Sequence, residues 1–231
     1  MIQSKAQRLL MALILLAVAP PVDAVAPTPD EMAAARRFAA AHLEGKPEPE
    51  PDRASPFAFG TTLFSFTYGG KSAADCLQSW QCQRESRAVD DHRTQHTLTC
   101  SDSQTALVFR CVGIEYRDFP VVEWTLYFKN AGDKDTPILE AIQGIDLVLR
   151  RGPAGEFILR GNQGDANMPD SYAPYEQIIV PNMRRKFAPD GGRPCDMAFP
   201  YFNVAGPAGG VIMAIGWTGQ WSALFQRNPD S

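Results

Sequence analysis

The residues best equipped for chemistry lie late in the chain, between positions 161 and 221. Gly161–Tyr175, GNQGDANMPDSYAPY, crowds amides and carboxylates into one glycine-bearing stretch. Gly191–Trp221 adds Arg193 after a double glycine, Asn203 on an aromatic run, and two tryptophans, Trp217 and Trp221. Aromatic faces beside hydrogen-bonding groups suit a sugar, whose rings offer C–H faces rimmed by hydroxyls. Asp170, Tyr172, Arg193, Asn203 and Trp217 are therefore the candidate substrate contacts. Cleaving a glycoside requires more, namely two carboxyl groups flanking the scissile bond. Asp165, Asp170 and Glu176 fall in or near the polar segment, but no spacing sets one against another. No catalytic residue is assigned. Asn162, Asp165, Asn167 and Asp170 could hydrogen-bond a sugar, gather their oxygens around calcium, or belong to a plain surface loop, and their spacing is not that of an EF-hand.

Other chemistries find less support. His92 and His96 share a face if they lie on one strand, but four residues span about 13 Å, too far for a single ion. Neither a metal nor another cofactor is expected. There is no Gly-x-Ser-x-Gly elbow, and Gly206–Gly210 has the composition of a hairpin turn rather than a phosphate loop. The five cysteines leave at least one thiol unpaired within a single chain. Cys76 and Cys82 are near enough to pair in an oxidising compartment, with buried free thiols as the alternative. Cys100 and Cys111 flank a turn at Asp102–Thr105 that sets Cys100 opposite about residue 107, which argues against that bridge.

These residues need a frame, and the pattern supplies one. Lys5 and Arg8 precede the apolar run Leu9–Ala19, which Pro20-Pro21 breaks before Val22-Asp23-Ala24. Residues 1–24 thus read as a signal peptide, predicting a secreted or periplasmic protein with no membrane association after cleavage. A retained anchor is the alternative. The net charge of −4, with no basic block, disfavours nucleic acid as a partner. Residues 25–45 predict a helix: Thr28 and Glu31 make a capping box, Pro29 suits the first turn and Gly45 is the stop. Residues 46–56, KPEPEPDRASP, form a stiff linker.

From 57 to 231 the period is mostly two, and glycine and proline punctuate the gaps. In Val121–Lys129, Val122, Trp124, Leu126 and Phe128 share one face, and Leu139, Ala141, Ile145, Leu147 and Leu149 resume an inward face. Further strands are predicted over 63–68, 95–100, 106–116, 156–160, 176–180, 197–204, 210–217 and 221–225. A short helix is predicted at Lys71–Trp80, with Ser72 and Asp75 as its cap. Many strands with so few helices predict a mainly all-β fold, an antiparallel β-sandwich or supersandwich behind a short N-terminal helix. Trp217 and Trp221 either both leave one rim or anchor the core, Trp221 being the stronger core candidate.

Several strings occur in an order that resembles a known family. They are Phe64-Ser-Phe-Thr-Tyr-Gly-Gly-Lys71, Val121-Val-Glu-Trp-Thr-Leu-Tyr-Phe-Lys-Asn130, Thr136-Pro-Ile-Leu-Glu140, Ala198-Phe-Pro-Tyr-Phe-Asn203 and Gly216-Trp-Thr-Gly-Gln-Trp221. Together, over about 57–227, they resemble the N-terminal β-sandwich region of secreted bacterial α-galactosidase-like enzymes close to glycoside hydrolase family 36. The resemblance implies a sandwich followed by a (β/α)8 barrel and a small C-terminal β domain. The barrel carries an aspartate nucleophile and an aspartate acid/base, and a sandwich loop helps close the galactose pocket. No position here matches the catalytic aspartates, and none of the strand–helix alternation of a barrel is present. The expectation is a non-catalytic front portion that contacts galactoside-like carbohydrate and is completed by a barrel absent from these residues. A stand-alone carbohydrate-binding module and an inactive gene fragment are the alternatives.

Overall fold

The computed structural model describes residues 25–46, 63–149, 155–207 and 209–229. The signal peptide expected over 1–24 and the linker beyond Lys46 lie outside the described residues, as does the start of the β region at 57–62. The described chain is mainly β, and its named strands all pair antiparallel.

The N-terminal helix forms for the reasons its sequence gives. Helix α1, Pro29–Ala39, opens at Thr28, whose hydroxyl accepts the Glu31 amide at 3.2 Å while the Thr28 amide donates to Glu31 Oε2 at 2.7 Å. It widens into a π-type turn, Ala40–Glu44, and stops at Gly45, where φ of 74° lies in the left-handed region. Helix α2, Ala73–Ser79, starts at Ser72, whose hydroxyl accepts the Asp75 amide.

The first strands are β1 (Ser65–Tyr68), β2 (Lys71–Ser72), β3 (Gln81–Ala88), β4 (Arg93–Ser101), β5 (Leu107–Tyr116), β6 (Val122–Asn130) and β7 (Leu139–Gln143). They make a four-stranded sheet, β3-β4-β5-β6, and a three-stranded sheet, β2-β1-β7. Phe66 of β1 meets Phe109 of β5 at 5.3 Å and Phe128 of β6 at 5.2 Å between ring centroids, joining the two sheets through aromatic contact. α1 and its π-type turn lie on the same face of the larger sheet. There Leu43 sits over Gly113, the Arg84 guanidinium donates to the Leu43 carbonyl at 2.7 Å, and Phe38 faces Trp124.

The later strands are β8 (Ile158–Gln163), β9 (Pro174–Ile178), β10 (Arg184–Phe187), β11 (Ala198–Gly206), β12 (Gly209–Ala214) and β13 (Ala223–Gln226). Four of them form a sheet in the order β12-β11-β8-β9, and β10 pairs with β13. Leu159, Phe202 and Val204 face inward, meeting Phe187 and Phe225 from the two-stranded layer. The buried residues of the described chain thus fall into two clusters. Leu147 packs with the first and Leu149 with the second.

Three details differ from expectation. Cys82 pairs with Cys100 and not with Cys76, because antiparallel β3 and β4 set the two directly opposite with Cα atoms 4.1 Å apart. Cys76 is a free thiol facing the core from α2. Cys100 faces Phe109 across β4 and β5, two residues beyond the expected position. Ala141 and Ile145 are exposed, since Ala141 has φ of 51° and β7 ends at Gln143, so the period of two lapses there.

Gly113 controls how the helix docks. A Cβ at that position would lie 2.6 Å from Leu43 Cδ1. Gly113→Ala is expected to destabilise the protein by about 1–3 kcal/mol in urea unfolding, the usual cost of overpacking. In a Leu43→Ala background the same substitution is expected to cost much less, and a double-mutant cycle measures that coupling.

Candidate functional site

Strand register brings the polar segments to one end of the second sheet. β8 finishes with Gln163 opposite Ala198, the first residue of β11. β9 begins with Pro174 opposite Asn162, and β12 leaves at Ala214 opposite Tyr201. Segments 164–173, 188–197 and 215–222 therefore all adjoin the same rim.

Hydrogen bonds tie the three segments together. Arg193 donates to Asp165 Oδ2 at 2.8 Å and to Asp196 Oδ1 at 3.3 Å. Asp165 Oδ1 also accepts the Asn167 amide at 3.0 Å and the Ser171 hydroxyl at 3.3 Å. The Asp165 amide donates to the Cys195 carbonyl at 2.7 Å. That approach requires Gly164, because a Cβ there would fall 2.2 Å from the Ala198 nitrogen. From the third segment, Trp221 Nε1–H donates to the Pro194 carbonyl at 2.6 Å and Gln220 donates to the Pro189 carbonyl.

Four of the five predicted contacts lie at this end of the sheet, whereas Asn203 sits mid-strand opposite Arg160 and Ile212, and all five differ in availability. Trp217 is 66% exposed while Trp221 is 7% exposed, so the pair divides into a rim residue and a core anchor. Arg193 is half exposed, but its guanidinium already serves Asp165 and Asp196. Tyr172, with φ of 63°, sets its ring edge-on to Phe199 at 5.9 Å and offers its carbonyl to Asn162 Nδ2 at 2.9 Å. Partial desolvation, followed by the nearby Asp165 carboxylate and Cys195, pushes its phenol up, so it remains an O–H donor. Asp170 is exposed in the turn, and its carbonyl accepts the Ala173 amide. Asn203 lies on β11, on the outward face of the sheet.

Asn203 belongs to an open groove of about 440 Å³ that it shares with Arg160, Asn162, Tyr175, Glu176 and Tyr201. Arg160 Nε and Glu176 Oε2 pair at 2.6 Å across β8 and β9. Tyr175 stacks on Phe187 with centroids 5.5 Å apart, and its buried hydroxyl has no hydrogen-bond partner among the described residues. Of this groove, Asn203 was among the five predicted contacts and Asn162 among the polar-segment residues read as sugar or calcium ligands. The alternation Tyr201–Phe202–Asn203–Val204 carries the signal that finds Tyr201, because residues two apart share a face.

The arrangement suits binding better than proton transfer. The carboxyl of Asp165 is held below its ordinary range, chiefly by the Asn167 amide and further by Arg193 and Ser171. A general acid needs the opposite shift. Among the described residues, one group of His and acidic side chains has ligand spacing: Glu44, His96 and Glu115, far from this rim in sequence. His92 is not part of it and pairs with Asp118. No family model matches the chain, and a search of curated proteins returns no match.

The depressed Asp165 pKa sets the sign of a pH effect. Its hold on the rim is fully present above the ordinary carboxylate range and is lost as pH falls through the lowered folded value. Asp165→Asn is expected to speed amide exchange in 164–173 and 190–197 at neutral pH while leaving β8 and β11 protected. Hydrogen–deuterium exchange read by mass spectrometry checks this, and wild type is expected to reach the same state only in acid.

Proposed function

We propose that this chain is the non-catalytic β-sandwich portion of an α-galactosidase-like glycoside hydrolase, which binds galactoside-like carbohydrate and helps shape the pocket of a catalytic barrel. One observation carries the reading: Tyr201, Asn162 and Asn203 line a groove on the outer face of the second sheet, and its Asn162–Tyr201 end adjoins the segment that carries the exposed Trp217. Aromatic rings cover sugar C–H faces, and the side-chain amides of Asn162 and Asn203 answer sugar hydroxyls. The ordered motifs at 64–71, 121–130, 136–140, 198–203 and 216–221 support the family side of the reading.

The Cys82–Cys100 disulfide supports export to a secreted or periplasmic location, since such bonds persist in oxidising compartments. No helix among the described residues is long and apolar enough to cross a membrane. Asp165 is poorly suited to act as a general acid, because its hydrogen-bond donors lower its pKa rather than raise it.

A stand-alone carbohydrate-binding module is the second reading, since the groove on the second sheet and the exposed Trp217 would serve it equally well. The two readings separate on the coding sequence beyond codon 231: a barrel-encoding continuation supports the first, and unrelated sequence the second.

Isothermal titration with α-galactosides is expected to give saturable binding. Trp217→Ala and Tyr201→Ala are each expected to weaken it about tenfold, equivalent to 1.4 kcal/mol. An aryl α-galactoside should not be hydrolysed above a buffer control. Turnover by the purified chain, or binding indifferent to both substitutions, would overturn the reading.

A further inference from the structure

We propose that Glu44, His96 and Glu115 form a binding site for a zinc-class divalent cation that pins the N-terminal helix to the first sheet. The three residues come from separate elements: Glu44 ends the π-type turn, His96 lies on β4 and Glu115 on β5. Their potential ligand atoms all lie within 4.8 Å of one another.

The fold explains why they meet. His96 is opposite Gly113 in the β4–β5 register, and Glu115 is two residues further along the same face. Gly113 leaves room for Leu43, and seating Leu43 there delivers Glu44 beside His96. The Arg84 contact to the Leu43 carbonyl holds the turn in place. A glycine on a strand thus creates the space in which a helix end completes the cluster.

The chemistry of the donors fits a borderline metal. Imidazole nitrogen and carboxylate oxygen are both ligands that zinc accepts, and three of them leave a fourth position for water. His96 Nε2 and Glu115 Oε2 are 3.2 Å apart. Two metal–ligand bonds of about 2.1 Å would bridge that gap at an angle of roughly 100°, near tetrahedral. His96 is only 3% exposed, and its other nitrogen, Nδ1, lies 2.8 Å from Ser86 Oγ. A hydrogen bond from Nδ1 to that hydroxyl leaves the Nε2 lone pair directed at the two glutamates, as an outer partner does for a metal-bound histidine.

Lys46 is the cation now paired with Glu44, and its side chain is two-thirds exposed. An ion on Glu44 would displace it into solvent at small cost, because exposed pairs contribute little. Both carboxylates are partly withdrawn from water, so a divalent charge between them offsets a desolvation that a single peripheral lysine meets only in part.

The test is zinc titration of the untagged chain, in a Cys195→Ser background so that this partly accessible thiol cannot bind the metal. Isothermal titration is expected to give one zinc per chain. Glu44→Gln and Glu115→Gln, which leave the buried histidine in place, should each weaken binding more than tenfold. Ser86→Ala should weaken it about 10–100-fold, as loss of an outer partner does. Zinc should slow amide exchange across 29–44 in the parent and not in Glu44→Gln. His92→Ala should change neither readout. Absence of zinc binding would overturn the proposal, as would binding insensitive to Glu44→Gln or a helix whose exchange ignores the metal.

Discussion

The burial of one indole organises the candidate site. Trp221 sets its ring edge-on to Phe202 in the second core, with centroids 6.0 Å apart, while its N–H reaches the Pro194 carbonyl. A tryptophan is stably buried when its single polar atom is satisfied, and here the partner lies on a loop rather than a strand. The core therefore holds the loop. Trp217 projects from the same segment, only four residues away, and is left exposed because Trp221 is fixed. Arg193, Asp165 and Asp196 then join that loop to the 164–173 segment.

A parallel logic operates in the first cluster. There a missing side chain takes the place of a large one: Gly113 vacates the sheet surface and Leu43 fills it. Both cores thus project positional order outward to polar groups, one onto a rim and the other onto the end of a helix. The difference lies in exposure. The rim leaves aromatic and amide groups open to a ligand, whereas the helix end closes over a nearly buried histidine.

Much of the frame was legible in sequence wherever one side of an element is buried. The Thr28–Glu31 box, the Ser72 cap and the alternation over Val122–Phe128 all report local physics or a half-buried face, and each appears as read. β3, QCQRESRA, was not legible. It is an edge strand exposed along its whole length, so no apolar alternation marks it. The Cys82–Cys100 bond went unread for the same reason, since it follows from the register of that strand. The charged RRKF of β10 was hidden likewise.

The candidate site was legible in part. Trp217 and Asn203 could be nominated by residue type and Tyr201 by its place two residues from Asn203, but Arg160 and Tyr175 join them only through pairing of β8, β9 and β11. Arg193 looked like a free donor, and only the fold reveals that two aspartates occupy it. Glu44 and Glu115 are 71 residues apart and share no motif with His96, so their meeting depends on helix docking.

The proposed role requires the outer face of the second sheet and its rim to act as one carbohydrate surface. Two-dimensional ¹H–¹⁵N NMR of the chain titrated with methyl α-galactoside tests this most directly. The Trp217 indole and the side-chain amides of Asn162 and Asn203 should shift together along one saturation curve, while the buried Trp221 indole stays within the error of the spectrum. A saturable response confined to the first cluster, or none at Trp217 and Asn203, would contradict it.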